Sequence, residues 1–448
     1  MSDLLSIGLS GVTAYRSALA AVGENVANAE TPGFTRRSVV LRQANAGSPQ
    51  PDMFYREGMT FGGVSAAAVQ RAWDGFRATE ARTATSAASR SAVRERWLTA
   101  VENALNDGSS GIGASLTAFY AAGTNLAADP TDRLRRSNML ASLDTVSSAF
   151  RNSADALGRI AGGVADAARL DADAVSSALQ SLHDLNATMR IAAPGTSARA
   201  AMEDERDRLI ESISERLDVD VTLAGDGTAT LTAAGGLILL DAVGPARVES
   251  RVDPDGRLTL EVVRDGAADS LVPRGGSLAG LVETASAVAD RRAELDQLAS
   301  DFVNGINGWS AAGRDLAGDP GAPLLELTGG AVTMRALTTD PLRLAAASPD
   351  GRANGNLLGL DALRVAGGHE ARWNAIVGAN AQSLAAVRSE ARASASWRDQ
   401  ARASLDEVVG IDLNREAADM LRFQQAYSGA ARILQVARET LQDILNLF

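Results

Sequence analysis

The chain has 448 residues, 46% hydrophobic and 22% charged, so it can form about two to four domains with cores, and global disorder is excluded. Its net charge of −12 excludes a nucleic-acid partner, because there is no basic surplus to displace counterions from a phosphate backbone. Cysteine and lysine are both absent, which excludes disulfides, thiolate nucleophiles, cysteine zinc sites, Schiff bases and lysine-containing phosphate loops.

The histidines and the chain's hydropathy exclude further classes. His183 and His369 form no HExxH-type pattern and have no Ser or Asp constellation around them, so we assign neither a catalytic role. We predict no catalytic, cofactor-binding or metal-binding residue, and no cofactor. There is no apolar run of about 18 residues, so we expect no membrane insertion. No basic region precedes an apolar core at the N-terminus, so we expect no cleaved signal peptide.

An amphipathic helix is predicted near the N-terminus. Its apolar positions recur at steps of three and four residues, namely Leu5, Gly8, Val12, Tyr15, Leu19, Val22, Val26 and Ala29. The helix should end at Thr31-Pro32-Gly33, because proline disfavours helix at the preceding residue and glycine favours a turn. Between residues 36 and 64, alternating apolar residues, prolines and glycines predict short strands or an irregular crossover.

Helices dominate the next part of the chain. Helical spacing is predicted from Ala66 to about Leu105, followed by a short helix over residues 116–126. The longest helical pattern begins after Asp129-Pro130-Thr131 and extends to Arg190, with a hinge expected at Gly162-Gly163. Another helix, which carries Leu209, Ile210, Ile213 and Leu217, follows it.

A small β domain is predicted at residues 218–276, where the apolar period changes to two. Hairpins are expected at Asp226-Gly227 and around Asp253-Pro254-Asp255-Gly256. The helical period returns after Gly276, with Ser277 as the expected N-cap. Glycine, proline and aspartate predict a loop over residues 313–330, and a helix is expected from Gly368 to Val408.

The C-terminal helix has a second heptad seam. Its positions are Met420, Phe423, Tyr427, Ala430, Leu434, Ala437, Leu441, Ile444 and Phe448. Because the two terminal seams share the same spacing, we expect the helices to pair with each other. The predicted fold is therefore mainly α with an inserted small β domain, in an elongated, nested architecture. Its parts are a terminal coiled coil (1–45 and 409–448), a long helical bundle (46–217 and 277–408) and the β domain (218–276).

The string GENVANAETPGFTRR, from Gly23 to Arg37, resembles the signature of bacterial flagellar axial proteins, the rod, hook and hook-associated subunits. Three further segments make the chain similar to the hook-associated protein 1 family: Gly63 to Arg82, Asp204 to Ile210 (DERDRLI) and Gly276 to Asp315. Arg422 to Tyr427 (RFQQAY) is similar to that family's C-terminal helix. The departure is size, since one modest β domain leaves little room for the outer domain of longer relatives.

The resemblance implies a structural, non-enzymatic subunit at the junction between hook and filament, needed for filament assembly. Its implied partners are further copies of the chain in a ring or helical layer, the hook protein, the second hook-associated protein and an export chaperone on the C-terminal helix. Its implied location is the extracellular flagellum, reached through the flagellar type III route. Both termini are expected to be mobile in the monomer and to fold on assembly.

Two groups of residues carry these expectations. The predicted assembly interface comprises Leu5, Val12, Tyr15, Leu19, Val22, Val26, Met420, Arg422, Phe423, Gln425, Tyr427, Leu434, Leu441 and Ile444. The family-motif turn comprises Asn25, Asn28, Thr31, Pro32, Gly33 and Phe34. Each group also has a simpler interpretation, since an amphipathic helix can serve only its own core and Gly33 can serve only the turn.

Two alternative functions remain open from the sequence. Another axial subunit, such as the hook or a distal rod protein, would share the terminal helices, and the filament phenotype of a deletion would separate the two assignments. A hydrolase that uses serine and a carboxylate would belong to another class. No GxSxG-type elbow is present to support it.

Overall fold

The structure is a computed structural model that describes residues 2–44, 62–105, 108–365 and 367–446. Helices make up 67% of it, which confirms the mainly α prediction with its small β insertion. The helices within the described ranges are α1 (Ser2–Ala27), α2 (Gly75–Leu105), α3 (Ile112–Ala128), α4 (Arg133–Ile191), α5 (Ser197–Arg216), α6 (Gly276–Ala312), α7 (Gly355–Leu358), α8 (His369–Val409) and α9 (Leu413–Asn446).

Short strands connect these helices. They are β1 (Arg37–Gln43), β2 (Val64–Arg71), β3 (Asp220–Leu223), β4 (Ala229–Ala233), β5 (Leu237–Leu240), β6 (Arg247–Val252), β7 (Leu258–Arg264), β8 (Ala267–Leu271), β9 (Leu325–Glu326) and β10 (Arg335–Ala336). The sheets in the described part of the chain are β1-β2, β3-β4-β5, β6-β7-β8 and β10-β9. Each predicted hairpin of the β region thus has a third strand beside it.

Contacts divide the chain into two compact units. Unit 1 comprises residues 1–85, 174–247 and 395–448, and unit 2 comprises residues 86–173 and 248–394. The division falls within α2, α4, α8 and β6. Sheet β3-β4-β5 lies in unit 1, whereas β7 and β8 lie in unit 2. The three-part division and the elongated shape drawn from the sequence remain proposals.

The start of α2 corrects one prediction. Helical spacing from Ala66 suggested a helix, but Val64–Arg71 is strand β2, which pairs antiparallel with β1. The main-chain pairing with β1 therefore outweighs the helix propensity of the alanine run. The helix begins only at Gly75, where the Asp74 carboxylate accepts hydrogen bonds from the main-chain N–H groups of Phe76 (3.0 Å) and Arg77 (3.1 Å).

The expected hinge in the longest helix is a second correction. Helix α4 continues without a break from Arg133 to Ile191, through Gly162 and Gly163. A Cβ on Gly163 would lie 2.8 Å from Cη2 of Trp97, so this glycine lets the indole ring approach the helix closely. Ser277 is a third correction. The N-cap of α6 is Gly275, and the Ser277 hydroxyl instead donates a hydrogen bond to Asp171.

Unit 2 is built around a large apolar core from α3, α4, α6 and the segments that follow α6. Phe119, Phe150 and Phe302 are almost completely buried in it, and their rings lie in contact at centroid distances of 5.9 and 6.1 Å. Trp373 at the start of α8 is also fully buried. This is the kind of aromatic and aliphatic packing that stabilises an independent domain.

Helix α1 has one property that the sequence analysis did not anticipate. Its segment Leu4–Ala27 is 24 residues long with a mean hydropathy of 1.2, which is long and apolar enough to cross a membrane on length and composition alone. In the structure this segment packs one face against α9, where Gly8 and Gly11 meet α9 side chains. A helix–helix contact accounts for an apolar face equally well.

Candidate functional site

The first feature of the site is the packed pair of α1 and α9. The two helices run antiparallel, since Gly8 lies against Leu434 and Gly11 lies against Ala430. A Cβ on Gly8 would lie 2.8 Å from Leu434 Cγ, and a Cβ on Gly11 would lie 2.9 Å from Ala430 Cβ. Glycine at these two positions therefore allows the helix backbones to approach closely.

The buried face of α1 consists mainly of small residues and lies beside the predicted seam. Its buried members are Gly8, Gly11, Ala14, Ala18, Ala21, Val22 and Asn25. Among the predicted interface residues of α1, Val22 is buried and Val26 is exposed. The others are half-buried at the edges of the contact: Leu5, Val12, Tyr15 and Leu19. Their role in contacts with neighbouring subunits remains a prediction.

Helix α9 places its predicted seam toward α1 over its first two thirds. Ala430 and Ala437 are buried, and Met420, Phe423 and Leu434 are half-buried. Exposure increases toward the end of the helix, where Leu441 is 40% and Ile444 is 42% exposed. The remaining predicted interface residues are exposed: Arg422, Gln425 and Tyr427.

Large apolar side chains also lie on the outer surface of the pair. On α1, Leu9 is 61% exposed, and on α9, Leu421 and Val436 are 61% and 58% exposed. Leu4 and Ile433 are exposed as well. Single exposed apolar residues are common, but several on one helix pair leave apolar area that a neighbouring surface could bury. We call Leu9, Leu421, Ile433 and Val436 the outer apolar residues.

The second feature is a buried polar cluster made of Asn25, Arg36, Glu416 and Asp419. It lies at the inner end of the pair, where the C-terminal end of α1 meets the N-terminal end of α9. The side chains of Asn25 and Glu416 are completely buried. The Asn25 amide donates to Glu416 Oε2 (3.0 Å) and to the Arg37 main-chain oxygen (2.8 Å), and it accepts from the Arg37 N–H (2.9 Å). Arg36 contacts Glu416 Oε1 (2.6 Å) and Asp419 (3.1 Å). We call this group the Asn25–Glu416 cluster.

A neighbouring set of ion pairs joins the motif to α5. Arg37, with 4% of its side chain exposed, contacts Glu24 at the end of α1 and Asp204 on α5 (3.1 Å). Arg71 from β2 is equally buried and contacts Asp204 (3.1 Å) and Asp207 (2.6 Å). The DERDRLI segment is therefore the helix surface on which the motif packs.

The motif residues also build the turn that the sequence predicts. The Asn28 amide donates to the Glu24 carbonyl (2.9 Å), and Thr31 donates to Asn28 through its hydroxyl (3.2 Å) and its main-chain N–H (2.9 Å). Gly33 has a φ of +79°, which a residue with a Cβ rarely adopts. The Arg37 guanidinium lies 4.5 Å from the centre of the Phe34 ring. Pro32 is exposed within the turn.

Sequence reasoning did not identify the acidic partners of the motif. Glu416 could have been identified from the sequence, because it lies four residues before Met420 and so occupies a position of the α9 seam. A carboxylate at such a position needs a partner when the seam is buried. The choice of Asn25 and Arg36 as its partners depends on the tertiary fold and has no sequence signal of its own.

A cavity of about 310 Å³ lies beside this junction within unit 1. Burial lowers the pKa of the Arg82 guanidinium on its wall, and the charges of Asp207 and Glu211 partly oppose that shift. Arg402 in the same wall pairs with Glu211 (2.7 Å). Because its acidic and basic side chains mainly pair with each other, we regard the cavity as part of the polar junction. No cluster suited to a metal ion occurs among the described residues.

Comparisons with known proteins relate these features to two families. Residues 98–325 match the model described as the flagellar hook-associated protein FlgK helical domain. Residues 5–35, which contain most of α1 and most of the motif, match the model of the flagella basal body rod protein.

Individual relatives agree with the first family. The chain is 28% identical to flagellar hook-associated protein 1 of Salmonella typhimurium over 335 residues, which cover 72% of this chain and 59% of that protein. It therefore spans about three fifths of the length of that relative. Identity to the protein of the same name from Bacillus subtilis is 22% over 488 residues, which cover 97% of this chain and 96% of that one.

One solved structure has a similar fold. It is the flagellar hook junction protein FlgK from Burkholderia pseudomallei, with a TM-score of 0.52 and 20% sequence identity. The match covers 56% of this chain and 47% of that one.

Proposed function

This chain belongs to the FlgK family of flagellar hook-associated proteins, and we propose that it is a structural subunit of the junction between hook and filament. The observation that carries the proposal is the α1–α9 pair, which buries small residues inside and leaves the outer apolar residues exposed. Contacts between different surfaces of identical subunits generate rings or helical arrays. A layer of such subunits would suit an axial structure.

The outer apolar residues favour neighbouring subunits as the occupants of this surface. Burial of each Leu-sized side chain contributes roughly 1.5 to 3 kcal/mol. Several such residues on each subunit, repeated around a layer, would stabilise the assembly although each single contact is modest. Arg422, Gln425 and Tyr427 are exposed on the same helix and supply polar contacts in this proposal.

The partners and the location follow from the family and from this surface. The chain is a component of the bacterial flagellum. We place copies of the chain, the hook protein and the second hook-associated protein around the layer, and an export chaperone on α9 before assembly. We further propose that the protein acts outside the cell.

We also propose that α1 and α9 are mobile in the isolated monomer. On the α1 side their mutual contact consists mainly of glycine and alanine, whose burial contributes little against the conformational entropy of two long helices. Neighbouring subunits would supply the missing apolar contacts. Limited proteolysis of purified monomer should therefore remove both termini first, and termini that resist the protease would contradict this part of the proposal.

A second assignment, to a rod or hook subunit, is favoured by one observation. The match of residues 5–35 to the basal body rod protein shows that the N-terminal segment alone does not separate the axial subunits. The match of residues 98–325 to the FlgK helical domain favours the junction. The family is a structural one, and we propose no enzymatic activity.

Deletion of the gene separates these assignments. We expect hooks of normal length without attached filaments, and filament protein released into the medium. Filaments that stay firmly attached would contradict the junction role. Loss of the hook itself would favour the rod or hook assignment.

A further inference from the structure

The apolar contact between α1 and α9 specifies the register of the two helices poorly. Its α1 side consists mainly of small residues, and on α9 two buried alanines lie seven residues apart, Ala430 opposite Gly11 and Ala437 further along the helix. A slip of α9 by one heptad would place Ala437 opposite Gly11 and keep small residues in contact. A heptad seam is compatible with such slips unless a residue within it penalises them.

The Asn25–Glu416 cluster supplies that penalty. After the slip, the residue opposite Asn25 would be Phe423, which offers no hydrogen bond to the buried amide. Glu416 would lie beyond the end of α1 and lose both Asn25 and Arg36. A buried amide and a buried carboxylate without partners are each strongly unfavourable.

We propose that the Asn25–Glu416 cluster fixes the register in which α1 and α9 pair, and that Asn25 and Glu416 are the positioning residues. Asn25 donates both of its amide hydrogens, one to Arg37 and one to Glu416, so the observed register satisfies both donors. A single buried asparagine fixes helix register in the same way in coiled coils. This inference concerns the fold of one chain and does not depend on the proposed function.

The cluster also makes the two segments depend on each other. Glu416 on α9 is satisfied only when Asn25 and Arg36 are in place, and Arg36 is held by a main-chain hydrogen bond from its N–H to the carbonyl of Val409 (2.9 Å). The turn after α1 and the approach to α9 are therefore fixed together. Register is set at this end of the pair and is carried along the small-residue contact.

Disulfide trapping can measure the register directly, because the natural chain has no cysteine. The in-register reporter is Gly11→Cys with Ala430→Cys, and the slipped reporter is Gly11→Cys with Ala437→Cys. In the observed pairing, Ala437 lies about 10 Å further along α9, beyond the reach of a disulfide. Both reporters contain Gly11→Cys, so any strain at that tight contact affects them equally.

The test compares the oxidation rates of the two reporters in the purified full-length chain. The in-register pair should form at least about tenfold faster than the slipped pair, a ratio that corresponds to about 1.4 kcal/mol. Asn25→Asp keeps the shape of the side chain but removes both donors and faces Glu416 with a second carboxylate, so the ratio should fall at least about tenfold. Asn152→Asp, the same substitution at an exposed residue of α4, is the matched control and should change the ratio less than about twofold.

Each possible result of this test either supports or overturns the register proposal. An unchanged ratio in Asn25→Asp, or no preference between the reporters with the natural cluster, would overturn the proposal. Loss of both disulfides in Asn25→Asp, with normal hydrogen exchange in α3 and α6, would assign the cluster to the stability of the pair rather than to its register and would also overturn the proposal. If exchange in α3 and α6 also increases, Glu416→Gln replaces Asn25→Asp and is judged by the same ratio.

Discussion

The aromatic core of unit 2 and the α1–α9 pair of unit 1 bury different kinds of residue. Unit 2 encloses large rings such as Phe119, Phe302 and Trp373, which are fully or almost fully buried. The α1–α9 pair buries Asn25 and Glu416 completely at one end, and its α1 face consists mainly of glycine and alanine. Unit 2 therefore gains its stability from apolar area, whereas the α1–α9 pair gains specificity from polar contacts and has little apolar area of its own.

This difference supports our proposal that the terminal helices are mobile in the monomer while the body of the chain is stable. A core of aromatic and aliphatic side chains folds without help. A contact of small residues and buried ion pairs defines one geometry but stabilises it weakly, since each ion pair repays only part of its desolvation cost. The proposed assembly, in which neighbouring subunits complete the pair, needs both properties.

The largest expected effect is in the apolar core. Phe302→Ala should lower the free energy of unfolding of unit 2 by about 3 to 5 kcal/mol, because it removes a fully buried ring that contacts two others. Chemical denaturation measures this change. Phe76→Ala is the control, since Phe76 is 79% exposed and should change stability by less than about 0.5 kcal/mol. Equal effects of the two variants on stability would contradict the claim that unit 2 gains its stability from buried apolar area.

The next effect tests the polar junction. Arg37→Met should destabilise the junction by about 1 to 3 kcal/mol, because it removes a buried guanidinium from Glu24 and Asp204, while Asp204 keeps its contact with Arg71. Hydrogen exchange should increase in α1 and α5 while the aromatic core of unit 2 stays protected. Arg169→Met removes an exposed ion pair and should change stability by at most about 1 kcal/mol. Increased exchange throughout unit 2 in Arg37→Met would contradict the separation of the two units.

Part of the fold could be predicted from the sequence. Two matching heptads indicated that α1 pairs with α9, although the buried face of α1 lies beside the predicted seam, and Pro32 and Gly33 indicated the turn after α1. The strand β2 could not be predicted, because an alanine run has helix propensity and only its pairing with β1 overrides it. The partners of Glu416 were equally inaccessible, because they lie 391 and 380 residues away in the sequence.

A smaller effect tests the close approach of α1 to α9. Gly23→Ala should stabilise α1 by about 0.5 to 1 kcal/mol, because nothing lies within 4 Å of the added methyl group and alanine favours helix. Gly11→Ala adds the same methyl group 2.9 Å from Ala430 Cβ and should loosen the pair. Hydrogen exchange in α1 measures both changes. Stabilisation by both variants would show that the helices do not approach closely.

The smallest expected effect is a pH dependence in unit 2. Burial lowers the pKa of His369, whose Nδ1 lies 2.9 Å from the Tyr120 hydroxyl, and the backbone and charge of Asp301 partly oppose that shift. The neutral imidazole therefore contributes stability that is fully present above its unfolded pKa of about 6.5 and is lost as the pH falls through the lower folded value. The urea midpoint should fall from pH 7.5 to pH 5.5 more in the natural chain than in His369→Asn. Equal falls of the urea midpoint in the two proteins would contradict a lowered pKa of His369.

Incorporation of the chain into the junction tests the central claim that the outer surface of the α1–α9 pair joins subunits. The test adds purified protein to hooks isolated from a strain in which the gene is deleted. The double variant Leu421→Asp and Val436→Asp should fold normally, because both side chains are exposed, but should fail to attach to these hooks. Val243→Asp is the control, since it places the same charge at a residue 78% exposed in a loop, and it should attach normally. We expect loss of attachment only in the double variant, and normal attachment of that variant would contradict the account.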